Sequence, residues 1–332
     1  MNKGRFVNCA TLPSIALLAA CSGNQMTSVA PSGTAPDAAT QVRTLGTTRT
    51  AQVRNRGWMT QDAKSKKGVV YVSDIDTNVV ELYPAKGQNP APIGEITDVS
   101  TPDGLAVDTS GNLYVTNAGG STVAVYKPGA STPFQTYSPG ENPVAVTVGK
   151  DGTIYIAQGL EGCICVTEYA SGSQSPKLTI QLDHTGGSPI GLTLDKSNNL
   201  YVSLTNATVY KFAPAATSGT NLGLLGLHNP RGLAFDKKGD LLVADDPLSF
   251  TTGYLDIYPP GATQYSKQID VGPQPFEIMF GKKDAKLYMA NVSYGFTGYV
   301  GVLTAKKGYS QGNEIMQGLE QPIGVALSPG AP

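Results

Sequence analysis

Only two histidines occur among the 332 residues, His184 and His228. The second keeps chemically suggestive company, because Asn229 and Arg231 follow it closely and the carboxylates Asp245 and Asp246 lie a hairpin further on. An imidazole near carboxylates and a guanidinium is equipment for acid–base chemistry, since the ring can take up and return a proton near neutral pH. His184, His228 and Arg231 are therefore the candidate catalytic residues. A second set is rich in oxygen. Just before six regularly placed prolines stand Thr101, Asn142, Ser188, Asn229, Gln274 and Gln321. Just after the apolar runs that pair with those prolines stand Asp74, Asn117, Gln158, Asn206, Asp245 and Asn291. Amides and carboxylates of this kind can hold a sugar, a peptide or a hard cation. Asp74, Asn117, Asn142, Gln158, Asn206, Asn229, Gln274, Asn291 and Gln321 are read as ligand contacts. Asp103, Asp245 and Asp246 are read as the carboxylates for a metal such as Ca²⁺. The competing reading is structural, because short polar side chains also cap strand ends and turn the backbone.

The elements that must position these residues are visible as a repeat. The segments 102-PDGLAVDTSGNLYVTN, 143-PVAVTVGKDGTIYIAQ, 189-PIGLTLDKSNNLYVSL, 230-PRGLAFDKKGDLLVAD and 275-PFEIMFGKKDAKLYMAN recur at proline spacings of 41, 46, 41 and 45 residues. A half-copy, 322-PIGVALSPG, follows 47 residues later. Each full copy is two alternating apolar runs around a polar turn, which is a hairpin. A third run follows, such as Val123–Tyr126, and then a weaker fourth. Four short strands about every 44 residues is the signature of a propeller blade. The second strand occurs six times, at Tyr71, Tyr114, Tyr155, Tyr201, Leu242 and Tyr288, but the first copy lacks a proline-led partner. The expectation is an all-β, six-bladed β-propeller of four-stranded blades, with the C-terminal strand completing blade one and removing an exposed edge. Trp58-Met59-Thr60 is the alternative occupant of that inner position. The loops Asp108–Asn112 and Asp236–Asp240 lack the terminal Glu of a calcium loop and read as hairpin turns on the opposite face.

Leu-Tyr-Val-Thr-Asn at 113–117 resembles the hallmark of YVTN-type repeats. The Pro-x-Gly-Leu-x-Val-Asp-x-x-Gly-x-Leu-Tyr-Val pattern is similar to NHL repeats and to the wider SMP-30/gluconolactonase-like superfamily. The resemblance covers residues 68–332 and implies the fold, while these propellers serve many purposes. For the gluconolactonase-type members it implies calcium at the channel mouth, with Asp103, Asn142, Asn229 and Asp245 in a position to mimic its ligands. Two histidines are too few for the three-histidine metal sites of related lyases.

The N-terminus reads as an export signal. Lys3 and Arg5 precede a short apolar stretch ending Leu18-Ala19-Ala20-Cys21, too short for a membrane span. That ending resembles the lipobox of bacterial lipoproteins. The resemblance implies a signal peptide at 1–20, a diacylglyceryl group on Cys21, and, with Ser22 following, the outer membrane of a Gram-negative host. Residues 21–67 read as a low-complexity tether, and 22–67 carry seven Lys and Arg against two Asp, a net of +5. The head carries 15 basic and 23 acidic residues, a net of −8, which argues against nucleic acid as a partner. An extended Cys163-x-Cys165 holds its Cα atoms near ~7 Å, at the edge of bridging range, and Gly159 and Gly162 can bend the loop enough to join them. An oxidising compartment favours that disulfide.

These features point to a monomeric, lipid-anchored cell-envelope propeller that acts as a non-enzymatic binding scaffold for a glycan, peptide or protein. The alternative is a metal-dependent lactonase- or lyase-like enzyme using the same face.

Overall fold

The computed structural model describes residues 57–64, 68–159, 162–293 and 297–332. The lipobox-like ending at Cys21 and nearly all of the segment read as a tether lie outside the described residues. The head is built from six antiparallel sheets arranged as a ring.

The proline-led segments form the inner strands: Pro102–Val107, Pro143–Val148, Pro189–Leu194, Pro230–Phe235, Pro275–Phe280 and Pro322–Leu327. Each inner strand contacts the next around the circle, including the last with the first. In every blade the ladder shifts register beside the proline, at the end of the second strand. Proline lacks an N–H to donate, so it sits where the ladder can be interrupted.

Closure follows the offset in the sequence. Pro322–Leu327 pairs with Val69–Asp74, from Val70 opposite Leu327 to Asp74 opposite Pro322. Ser328 then accepts the Val69 N–H on its hydroxyl at 2.9 Å and returns its own N–H to the Val69 carbonyl at 2.9 Å. Trp58–Met59 forms a strand on the opposite, outer edge of the same sheet, with Trp58 opposite Glu95. The inner position of blade one is thus taken by the C-terminal strand, and the stretch around Trp58, grouped with the tether by its composition, adds a fifth strand outside. The indole N–H of Trp58 reaches the Glu95 carboxylate at 3.2 Å, a partner distant in sequence.

The core lies between blades. The recurring second-strand residue faces the neighbouring blade each time. Tyr71 packs with blade-two residues such as Leu113 and Tyr126, Tyr114 with Ile154 and Ile156, and Tyr155 with Leu200 and Phe212. Tyr201, Leu242 and Tyr288 continue the series around the ring. Glycine is required at some of the points where inner strands touch. A Cβ on Gly232 would stand 2.7 Å from the Ile278 nitrogen and would collide with the Phe276 carbonyl of blade six. Gly324 stands likewise against the Asp103 carbonyl of blade two.

Candidate functional site

The inner strands begin and the second strands end on one face, around the mouth of the central channel. Each proline faces the last residue of the second strand: Asn117, Gln158, Leu204, Asp245, Asn291 and Asp74. Blade four departs from the expectation. Its register places Leu204 at the ring position, and Asn206 lies two residues further on in the turn. There Asn206 donates to the Thr185 carbonyl at 2.8 Å and accepts from the Thr208 hydroxyl at 2.6 Å.

Most of the other polar groups at the mouth tie loops together. Asp74 accepts from the N–H groups of Asp76 and Thr77 on one oxygen and of Glu320 and Gln321 on the other. Asn291 donates to the carbonyls of Val271 and Pro273. Gln158 accepts from the Thr167 hydroxyl at 2.9 Å. Asn142 and Gln274 adopt φ of 50° and 40°, the left-handed region that short polar residues tolerate better than branched ones. Two oxygens remain without a hydrogen-bond partner although buried, those of the Asn117 and Gln274 amides. His184 lies in the short turn Asp183–Thr185 between blades three and four, exposed, with its ring 3.8 Å from Asp183.

Blade five differs from this pattern. The fully buried Asp245 accepts the N–H groups of His228 and Asn229, and its second oxygen lies 2.6 Å from His228 Nδ1. That contact orients the ring through Nδ1. The His228 side chain is 52% exposed, so a ligand at the mouth can reach it. Behind it sits the buried Asp256. Burial pushes the Asp256 carboxyl up to about 7, with Asp245 adding to the rise and Gln268 and His228 opposing it.

Arg231 donates through Nε and Nη2 to one oxygen of the buried Asp246, at 3.1 and 3.0 Å, and its guanidinium stacks 4.0 Å over Phe276. The other Asp246 oxygen accepts the Leu248 N–H at 2.8 Å, which fixes the start of the loop before Gly253. On that loop Leu248 is 68% and Phe250 71% exposed.

The channel is a cavity of about 390 Å³, lined by the residue after each proline: Asp103, Val144, Ile190, Arg231, Phe276 and Ile323. Glu277, which belongs to neither polar ring at the mouth, also lies here. One of its oxygens accepts the N–H of Val325 at 2.8 Å and of Leu105 at 3.2 Å, so blade six is bonded to blades one and two. Its signal was present, because the other five copies carry Gly or Ala at this position. Burial raises the Glu277 carboxyl well above the usual range, with Asp103 reinforcing and the two N–H groups opposing. Burial likewise lifts Asp103 to about 7, against the pull of Arg231.

Among the described residues no three His, Cys, Asp or Glu side chains gather in a way that could hold an ion. Asp245 is spent on blade-five N–H groups, Asp246 on Arg231 and Leu248, and Asp103 points into the channel lining.

These carboxyls set a pH dependence. Asp103 and Asp256 both bind protons more tightly when folded, near 7 against an ordinary value of 3.8. Between those values the folded state holds more protons than the unfolded one, so stability is full below the unfolded pKa and falls as pH rises through 7. Asp151 works oppositely. The Thr153 N–H holds its carboxyl below the usual range, so its contribution is lost only in acid. The expected melting temperature peaks in mild acid and declines toward alkaline pH. Asp103→Asn should stabilise the head by about 1–3 kcal/mol above pH 7 and by little near pH 4, read from melts across pH. An equal effect at both ends would rule out ionisation of Asp103 as the cause.

No family model matches the chain, and no curated protein matches it. Solved structures do. A chain of the nidogen/laminin complex is 16% identical with a TM-score of 0.62, covering 78% of this chain and 98% of that one. A protein of unknown function from Bacteroides caccae is 12% identical with a TM-score of 0.59, over 78% and 97%. A catalytically inactive virginiamycin B lyase from Staphylococcus aureus, solved with quinupristin, is 13% identical with a TM-score of 0.55, over 81% and 91%. The likeness is one of fold.

Proposed function

We propose that this protein is a cell-envelope β-propeller, held to a membrane through lipidated Cys21, that binds a protein or peptide partner at the blade-five sector of its channel mouth. The observation that carries this reading is the loop with Leu248, 68% exposed and anchored at its start by the Arg231–Asp246 pair. An exposed apolar side chain on a fixed base is what a partner's apolar surface would cover, and the half-exposed His228 adds a polar contact beside it. Support also comes from fold analogy, since the similar nidogen/laminin structure is of a protein complex. The polar ring elsewhere at the mouth is engaged largely in its own loops, which favours a protein or peptide over a glycan.

In cells, cross-linking through the mouth should yield a defined partner adduct in the membrane fraction. Leu248→Asp with Phe250→Asp should remove the adduct while leaving the melting temperature within about 2–4 °C, because exposed substitutions cost little. Cys21→Ala should shift the chain out of the membrane fraction. Unchanged adducts in the double variant would refute the mouth as the contact, and unchanged partitioning would refute the anchor.

A second reading rests on the 2.6 Å His228–Asp245 pair, which suits proton abstraction in a lactonase- or lyase-like reaction without a metal. Turnover of a lactone or cyclic-ester panel that disappears in His228→Ala would favour it over pure binding.

A further inference from the structure

Cys163 and Cys165 form a disulfide with Cα atoms 5.4 Å apart, at the mouth end of blade three. Chain-entropy stabilisation grows with the length of the loop a bridge closes, and this one spans a separation of only two residues. The five other blades build the same strand start with Val79, Thr122, Thr208, Tyr254 and Tyr299, and no bridge. The fold therefore has little use for this bond.

The surroundings suit its reduced form. Cys165 Sγ lies 3.4 Å from Gln158 Oε1, and Cys163 Sγ lies 3.8 Å from Gln181 Oε1. A disulfide sulfur has no proton to give, whereas a thiol has one, so reduction would give each glutamine oxygen an S–H donor. The Thr167 hydroxyl donates to Gln158 Oε1 as well, which fixes that oxygen toward Cys165. The sulfurs also differ in access. Cys165 is buried, and Cys163 is partly exposed.

We propose that Cys163–Cys165 is an exchangeable disulfide that oxidises a dithiol presented at the channel mouth. A thiolate of the dithiol attacks the more accessible Cys163 sulfur, the Cys163–Cys165 bond breaks, and Cys165 leaves as a thiolate that takes a proton from solvent. The second thiolate of the substrate attacks its own sulfur in the mixed disulfide, releasing Cys163 as a thiolate, which is protonated in turn. The substrate loses two electrons and two protons, and the chain gains them as two thiols. Exposed disulfides of higher potential are the ones that behave this way.

The test equilibrates the folded full chain in glutathione redox buffers of stepped ratio and, separately, with dithiothreitol as the dithiol. Samples are quenched in acid, alkylated, and read by mass spectrometry of the peptide holding both cysteines. The expected result is reversible conversion to the dithiol under mildly reducing ratios, with the circular dichroism spectrum and melting temperature retained. Gln158→Leu and Gln181→Leu should each shift the equilibrium toward the disulfide by about threefold to tenfold, the worth of one hydrogen bond. Cys163→Ser should shift the melting temperature by less than about 4 °C. Reduction that occurs only on unfolding, or glutamine variants that leave the equilibrium in place, would make the bond a structural bridge and overturn the proposal.

Discussion

Deleting residues 319–332 is expected to abolish cooperative unfolding of the head. The deletion removes the whole strand Pro322–Leu327, which pairs along Val69–Asp74 and lines the channel through Ile323. It also removes Val325 and Ala331 from the core between blades one and six, and Ala326 from the core between blades one and two. Two further losses follow at the mouth. Asp74 is left with two of its four N–H donors, and Glu277 keeps only Leu105. A strand with this many partners is worth several kcal/mol, which is comparable with the ~5–15 kcal/mol total of an ordinary domain. Differential scanning calorimetry should show a broad, low transition or none. A sharp transition at the full-length temperature would mean that the ring closes without this strand.

Gly232→Val should be among the most damaging single substitutions at an inner strand. Its φ lies outside the left-handed region, so the penalty is steric rather than conformational. The added Cβ meets only backbone: the Ile278 nitrogen at 2.7 Å, the Glu277 Cα at 2.9 Å and the Phe276 carbonyl. Backbone of a packed strand cannot rotate aside as a side chain does, so blade six must shift as a body. Overpacking of this kind costs about 2–4 kcal/mol, or a fall in melting temperature of roughly 5–15 °C. Blade three provides the control, because Ala145 occupies the same repeat position with a methyl already in place. Ala145→Gly should cost no more than about 1 kcal/mol. Similar losses in both variants would show that close approach of inner strands is not what the glycines serve.

Much of this architecture was legible because a propeller writes the same physical demand six times. The second-strand tyrosines, the proline at the register shift and the unpaired first copy each follow from one blade packing on the next. The outer strand at Trp58 was not legible, since two residues of strand between polar segments carry no periodicity. The candidate site was harder to read for a different reason. Polar residues at the mouth do occur in register, but Asp74 and Asp245 are consumed by N–H groups brought to them by loops of other strands. Sequence spacing identifies which residues reach the mouth and leaves open which of their oxygens are already engaged. Blade four shows the same limit, since its turn carries Asn206 past the position that Leu204 fills. Glu277 could have been found as the exception to a Gly or Ala column. Its role could not, because the N–H groups it accepts belong to two other blades.

The bond between Val69 and Ser328 joins residues 259 apart. Such a contact must wait during synthesis until Ser328 has been made, after every blade between the two residues. Contacts this distant also slow the search for the native state, because a long loop must close before any of its contacts are rewarded. Until Leu327 arrives, blade one presents the free edge of Val69–Asp74, an invitation to pair with another chain. Folding of this protein is therefore gated by the strand Pro322–Leu327: the five blades between can assemble in order during synthesis, but the ring becomes one cooperative body only once that strand has been made.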